Sequence, residues 1–151
     1  MNFCRETLVS LLERVMRKSI LFVCYGNACR SIMAEALANH HWGDSLLVAS
    51  AGLTALGYIP AETIHVLEEI GVSTNGLYSK GLHEVGIERF QLILDLALYP
   101  LAGIIPPSFE GKVIQYRVSD PFMEGLDAFR QTRNTIEWLV TEKLSEWLDG
   151  E

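Results

Sequence analysis

The stretch from Ile20 to Leu37 constrains this chain more than any other. Ile20 to Val23 is an unbroken apolar run, the pattern of a strand buried on both faces. From Ser31 onward the spacing turns helical, with Met33, Ala34 and Leu37 on one face and Glu35 off it. The residues between, Cys24 to Arg30, have the form C-x5-R. At their centre the Gly26-Asn27 pair suits the unusual backbone angles of a tight turn. A strand, a tight loop and a helix start make an anion cradle: backbone N–H groups point inward and the helix dipole favours negative charge.

Cys24 opens this cradle and Arg30 closes it. Cysteine reacts as its thiolate, which a helix N-terminus and a nearby cation favour. A guanidinium grips two phosphate oxygens at once. The loop therefore reads as a phosphoryl site with a nucleophile beneath it. A buried Cys ending a strand and a surface Arg starting a helix would give the same spacing. The preceding strand, Gly26-Asn27 within the loop and Ser31 just after it together favour the phosphate site.

The loop Val23-Cys24-Tyr25-Gly26-Asn27-Ala28-Cys29-Arg30-Ser31 resembles the active-site loop of the low-molecular-weight protein tyrosine phosphatases. The thioredoxin-coupled arsenate reductases are related to that family. The resemblance runs from about Lys18 to the end and implies an Asp-Pro-aromatic near the C-terminus, which Asp120-Pro121-Phe122 supplies. It also implies a four-stranded parallel sheet in the order 2-1-3-4.

The rest of the chain fits an α/β fold. Strands are expected at Leu46 to Ala49, Phe90 to Leu94 and Val113 to Tyr116. Helices are expected from Ser31 to about Trp42, Ala61 to Ile70 and Glu124 to about Leu148. A short helix capped by Ser79 is expected through about Ile87. Phe129, Ile136, Val140, Leu144 and Trp147 form a core stripe on the last long helix. Strands alternating with helices imply a three-layer α/β/α arrangement, a parallel sheet with helices on both faces. Ligands bind such sheets beyond the strand C-termini, where Cys24 falls. A dinucleotide site is excluded, because the loop lacks G-x-G-x-x-G.

Residues 18–151 read as one phosphatase-like domain, and residues 1–17 as an N-terminal helical extension. In the extension Cys4, Leu8, Leu11, Leu12 and Val15 share a helical face. An added amphipathic helix, or a true start at Met16, would each explain it. The net charge of −7 and the lack of a basic tract argue against nucleic acid. No apolar run is long enough for a membrane span. Three cysteines, Cys4, Cys24 and Cys29, with no secretory segment suggest a reducing, cytoplasmic setting. His40 and His41 are adjacent and do not share a helical face, so no metal site is expected.

The chemistry expected is phosphomonoester hydrolysis in two steps, on a phosphotyrosine protein or a small aryl phosphate. Cys24 attacks phosphorus, and water then attacks the cysteinyl-phosphate. Arg30 and the loop from Tyr25, Gly26, Asn27, Ala28 and Cys29 to Ser31 hold the phosphoryl oxygens. No cofactor or metal is called for. Asp120 is the candidate acid, aimed by Pro121. Ser31 is placed to bond the Cys24 sulfur or to cap the helix. The resemblance implies that Cys29 forms a reversible disulfide with Cys24.

Several positions depart from the family pattern. Leu77 stands where many relatives carry a His that supports the loop. Leu98 replaces an Asn after the third strand, and Leu56 replaces a Trp on the crevice wall. Ile32 replaces the usual Pro. Phe122 and Met123 take the place of Tyr on the wall. Two other functions compete. Arsenate reduction would need an external thiol, because no cysteine follows Cys29. A non-catalytic oxyanion- or partner-binding module would fit the departures and the added N-terminal segment.

Overall fold

The structure is a computed structural model and describes Leu8 and residues 17–150. The N-terminal extension, Cys4 included, thus lies almost wholly outside the described residues. Four parallel strands, β1 (Lys18–Cys24), β2 (Leu46–Gly52), β3 (Leu92–Asp95) and β4 (Lys112–Gln115), form one sheet in the order β2-β1-β3-β4. β1 lies in the middle of the sheet, and every residue from Ser19 to Cys24 is buried. Its side chains alternate between two cores. Ile20 and Phe22 join Leu92 and Leu94 on one face, and Leu21 and Val23 join Ile93 on the other. This two-sided burial explains why β1 carries no polar alternation.

The first face is covered by α1 (Arg30–Trp42), α2 (Ala61–Glu68), α3 (Leu126–Trp138) and α4 (Leu144–Asp149). Met33, Leu37, Val66, Leu67, Phe129, Ile136, Val140 and Leu144 fill the core beneath them. The expected stripe on the last long helix therefore packs inward. That helix is interrupted by one π-helical stretch, Leu139–Lys143, between α3 and α4. The carbonyl of Val140 there accepts the Trp42 indole N–H at 3.1 Å. Arg130 and Arg133 on α3 both grip Glu69 just after α2, joining the two helices.

On the opposite face the helical cover is slight: two 3-10 turns, Leu82–Glu84 and Ile87–Arg89, with Phe90, Leu101 and Phe109 packed on Leu21, Val23 and Ile93. The single helix expected from Ser79 to Ile87 is thus two turns broken at Val85 and Gly86. Ser79 caps neither of them. Instead Glu84 reaches back to accept the Gly81 N–H at 2.7 Å, half of a capping box. Among the described residues no helix is long and apolar enough to cross a membrane.

Candidate active site

β1 ends at Cys24 and α1 begins at Arg30, so the loop between them stands at the C-terminal edge of the sheet. Its carbonyls are drawn outward. Cys24 O accepts the Leu53 N–H at 3.2 Å, Tyr25 O that of Thr54 at 2.9 Å, and Gly26 O that of Leu56 at 2.8 Å. The Ser79 hydroxyl also donates to Gly26 O, and the Thr63 hydroxyl to Ala28 O. Among the described residues, no protein acceptor takes the backbone N–H of residues 25–30. A loop whose carbonyls are engaged and whose N–H groups are free, ending in a helix N-terminus, is built for an oxyanion.

Close packing shapes this loop. Gly52 pairs with Cys24 across β1 and β2. A Cβ there would lie 2.7 Å from Tyr25 O and 2.8 Å from Asn27 N, so only glycine fits. Asn27 takes φ 48°, the left-handed angle expected of it.

A buried polar chain supports the loop from beneath. The Asn27 amide donates to Ser31 Oγ at 2.8 Å and to Ser50 Oγ at 2.9 Å. Ser50 donates to Glu35 Oε1 at 2.6 Å, and Lys80 Nζ reaches the same oxygen at 3.3 Å. The Lys80 backbone N–H donates to Asn27 Oδ1 at 2.8 Å, which fixes the orientation of the amide. The bond directions then follow. Ser31 accepts from Asn27, so its own hydrogen is free to point at Cys24 Sγ, 2.9 Å away. Ser31 makes no side-chain cap to α1, whose N-cap is Cys29.

Above the loop opens a crevice of about 380 Å³, with Cys24, Gly26, Ala28, Cys29 and Arg30 at its base. Tyr25, Thr54, Ala55, Leu56 and Phe122 line the rest together with Asp120. Arg30 is anchored by a 3.1 Å bond from Nη1 to Val118 O, and its Nη2 lies 3.6 Å from Asp120 Oδ2. The other Asp120 oxygen accepts the Phe122 N–H at 3.0 Å. This Asx turn across Pro121 aims the carboxylate. Half of the Asp120 side chain is exposed, so the ion pair adds little stability. Its consequence is to hold a carboxylate beside the guanidinium at the crevice.

Cys29 is buried at the end of the loop. Burial pushes its thiol up to about 12, opposed by a hydrogen bond with Thr63. It is a neutral thiol at physiological pH. Both Cys24 and Cys29 are free.

The crevice gathers most of the residues singled out from the sequence, but not all of them. Asn27 and Ser31 are buried behind the loop and do not line the crevice. Met123 is 84% exposed and also stands off it. Leu77 packs on the core edge. Polar support for the loop in this segment comes from Lys80, whose backbone N–H holds Asn27 Oδ1 and whose Nζ reaches Glu35. Leu98 holds φ 57°, a left-handed angle that asparagine tolerates better than leucine. Sequence reasoning missed Gly52, Ser50, Lys80, Thr63 and the Ser79 tie. The Ser50-Ala51-Gly52 ending of β2 carried the one available signal.

Comparison with known proteins follows the same outline. A model of the family "low molecular weight phosphotyrosine protein phosphatase" matches residues 19–150. The chain is 28% identical over 132 residues to a glutaredoxin arsenate reductase of Synechocystis, covering 85% of this chain and 98% of that protein. The tyrosine phosphatase amsI of Erwinia amylovora superposes with a TM-score of 0.72 at 29% identity, over 83% of this chain and 89% of that one. An arsenate reductase in its phosphate-binding state superposes with a TM-score of 0.76 at 25% identity, over 86% and 98%.

Proposed function

Since the chain belongs to the low-molecular-weight phosphotyrosine protein phosphatase family, we propose that it hydrolyses aryl phosphomonoesters, phosphotyrosine among them, through a phosphorylated Cys24. The observation that carries this reading is one crevice shared by Cys24, Arg30 and Asp120. In the first step the Cys24 sulfur bonds to phosphorus and the bond to the aryl oxygen breaks. Asp120 gives its proton to the departing oxygen. Arg30 and the loop N–H groups hold the three equatorial oxygens as charge spreads over them. In the second step water attacks phosphorus, the S–P bond breaks, and Asp120 takes the proton. Inorganic phosphate leaves. The aromatic walls, Tyr25 and Phe122, suit a flat aryl leaving group.

Arsenate reduction is the second reading, favoured by the name of the Synechocystis relative. Cys24 would form the arsenate adduct, and two further thiols would supply the electrons. No cysteine follows Cys29 in this sequence, so an outside thiol would have to complete the cycle. Phosphate release from phenyl phosphate and phosphotyrosine, measured beside arsenate reduction with glutathione, separates the readings. The phosphatase reading expects the first with little of the second. Arsenate reduction without phosphate release would reverse the order.

A further inference from the structure

The crevice opens into a surface of unusual composition for this chain. Residues 53–60, 70–79 and 96–109 carry no charged side chain, in a sequence that is 21% charged. Each segment touches the loop at the base of the crevice at one point or more. Leu53, Thr54 and Leu56 bond to the loop carbonyls. Ser79 ties Gly26 to the Gly57 N–H, and the Tyr99 ring stacks on Tyr25 with centroids 5.1 Å apart. Together with Tyr25 of the loop they expose large apolar side chains: Tyr25, Leu56, Tyr58, Tyr78, Leu98 and Tyr99 are each between 39% and 57% accessible. Exposed apolar side chains gathered around a crevice in this way mark an interaction site.

We propose that this uncharged collar docks the polypeptide around a phosphotyrosine, and selects segments whose flanking residues are apolar. The inference rests on the phosphatase reading. Cys24 is only 2% exposed, at the base of the crevice. Whatever carries the phosphoryl group must lie over the collar while sulfur reaches phosphorus. Apolar flanks gain by burial against the tyrosines and leucines. An acidic or basic flank would lose water there without finding a partner of opposite charge in those three segments. The collar lacks the basic residues that binding to an anionic lipid surface would need.

The test uses phosphotyrosyl peptides of equal length with Leu/Phe, Asp/Glu or Lys/Arg flanks, and phenyl phosphate as a reference. Tyr58→Asp and Leu98→Asp place a charge on the collar outside the crevice lining, and aspartate accepts the left-handed angle of Leu98. Wild type should favour the apolar-flanked peptide by about tenfold or more in kcat/KM. Both variants should lose most of that preference, with the phenyl phosphate rate changed less than about twofold. Equal kcat/KM on all three peptides, or a preference for charged flanks, would overturn the proposal. Sedimentation of a dimer that Tyr58→Asp dissociates would also overturn it and assign the face to a second copy. Binding to neutral lipid vesicles that the same variants abolish would assign it to a membrane. Absence of phenyl phosphate hydrolysis would count against the phosphatase reading alone. The collar would then be judged by affinity of the same peptides for Cys24→Ser, with the same ordering expected and equal affinities contradicting it.

Discussion

Lys80 Nζ lies 3.3 Å from Glu35 Oε1 behind the Cys24–Arg30 loop, with the Lys80 side chain buried and that of Glu35 mostly so. The pair is the far end of the hydrogen-bonded chain through Ser50, Asn27 and Ser31 to the Cys24 sulfur. A positive charge from Lys80 thus allows a carboxylate to anchor the loop without leaving net negative charge beneath an anion site.

Lys80→Met should strand Glu35 as a mostly buried, unpaired charge. Breaking such a pair from one side costs ~3–5 kcal/mol. Urea unfolding should show that loss, and Lys80→Met/Glu35→Leu should recover part of it, because neither charge then remains buried. Wild-type stability in the single mutant would mean that the ion pair is solvated and carries no weight.

Gly52→Ala tests the close approach of β2 to the loop. The added methyl would meet backbone atoms of Tyr25, Gly26 and Asn27 at 2.7–2.9 Å, and backbone cannot swing aside as a side-chain tip can. The loop must shift, and vanadate or phosphate affinity should fall about tenfold or more, since a small misplacement of the cradle is felt strongly. Titration of either anion reads this directly. Unaltered affinity would show that the loop has slack the packing denies.

Cys29 should behave unlike Cys24 towards alkylation and oxidants. With its thiol pushed up to about 12 by burial, it is protonated at pH 7–8 and should resist iodoacetamide, while Cys24 is labelled. Peptide mass spectrometry distinguishes the two sites. Mild peroxide should inactivate the protein, and a dithiol should restore it through a Cys24–Cys29 disulfide. Cys29→Ser should recover poorly, because over-oxidised sulfur is not rescued by thiols. Equal recovery of both proteins would reject the protective disulfide.

Asp120→Asn removes the proposed acid while keeping the side chain's size. Substrates whose phenoxides leave poorly should slow by roughly 10²–10⁴, the usual worth of a positioned acid. Electron-poor phenoxides need little help and should slow much less. Single-turnover rates plotted against leaving-group pKa should therefore steepen in the mutant. Parallel plots would make Asp120 a turn residue and turn attention to Glu124 or Asp127.

Much of the site could be read in the sequence because its central residues are contiguous. Cys24, Asn27, Arg30 and Ser31 fall in one eight-residue run, and the angle of Asn27 follows from its place beside glycine. The sheet order was expected only through the family resemblance. What lay hidden depends on tertiary approach. Lys80 looks like any surface lysine until β2 and the 70–81 segment bring its backbone N–H to Asn27. Glycine 52 looks like an ordinary turn residue, and only the 2.7 Å clash reveals its constraint. The break between the two 3-10 turns was missed because burial of Ile87 and Phe90 against β1 and β3, not helical periodicity, decides that segment.

The central claim is a covalent step at Cys24. Rapid acid quenching of the enzyme with a radiolabelled aryl phosphate, followed by peptide mapping, reads that step itself. The account predicts a phosphorylated peptide containing Cys24, formed no more slowly than phosphate is released, and no label in Cys24→Ser, which should still bind vanadate. Phosphate released by the wild type without any adduct on Cys24, or a Cys24→Ser protein as active as wild type, would contradict it.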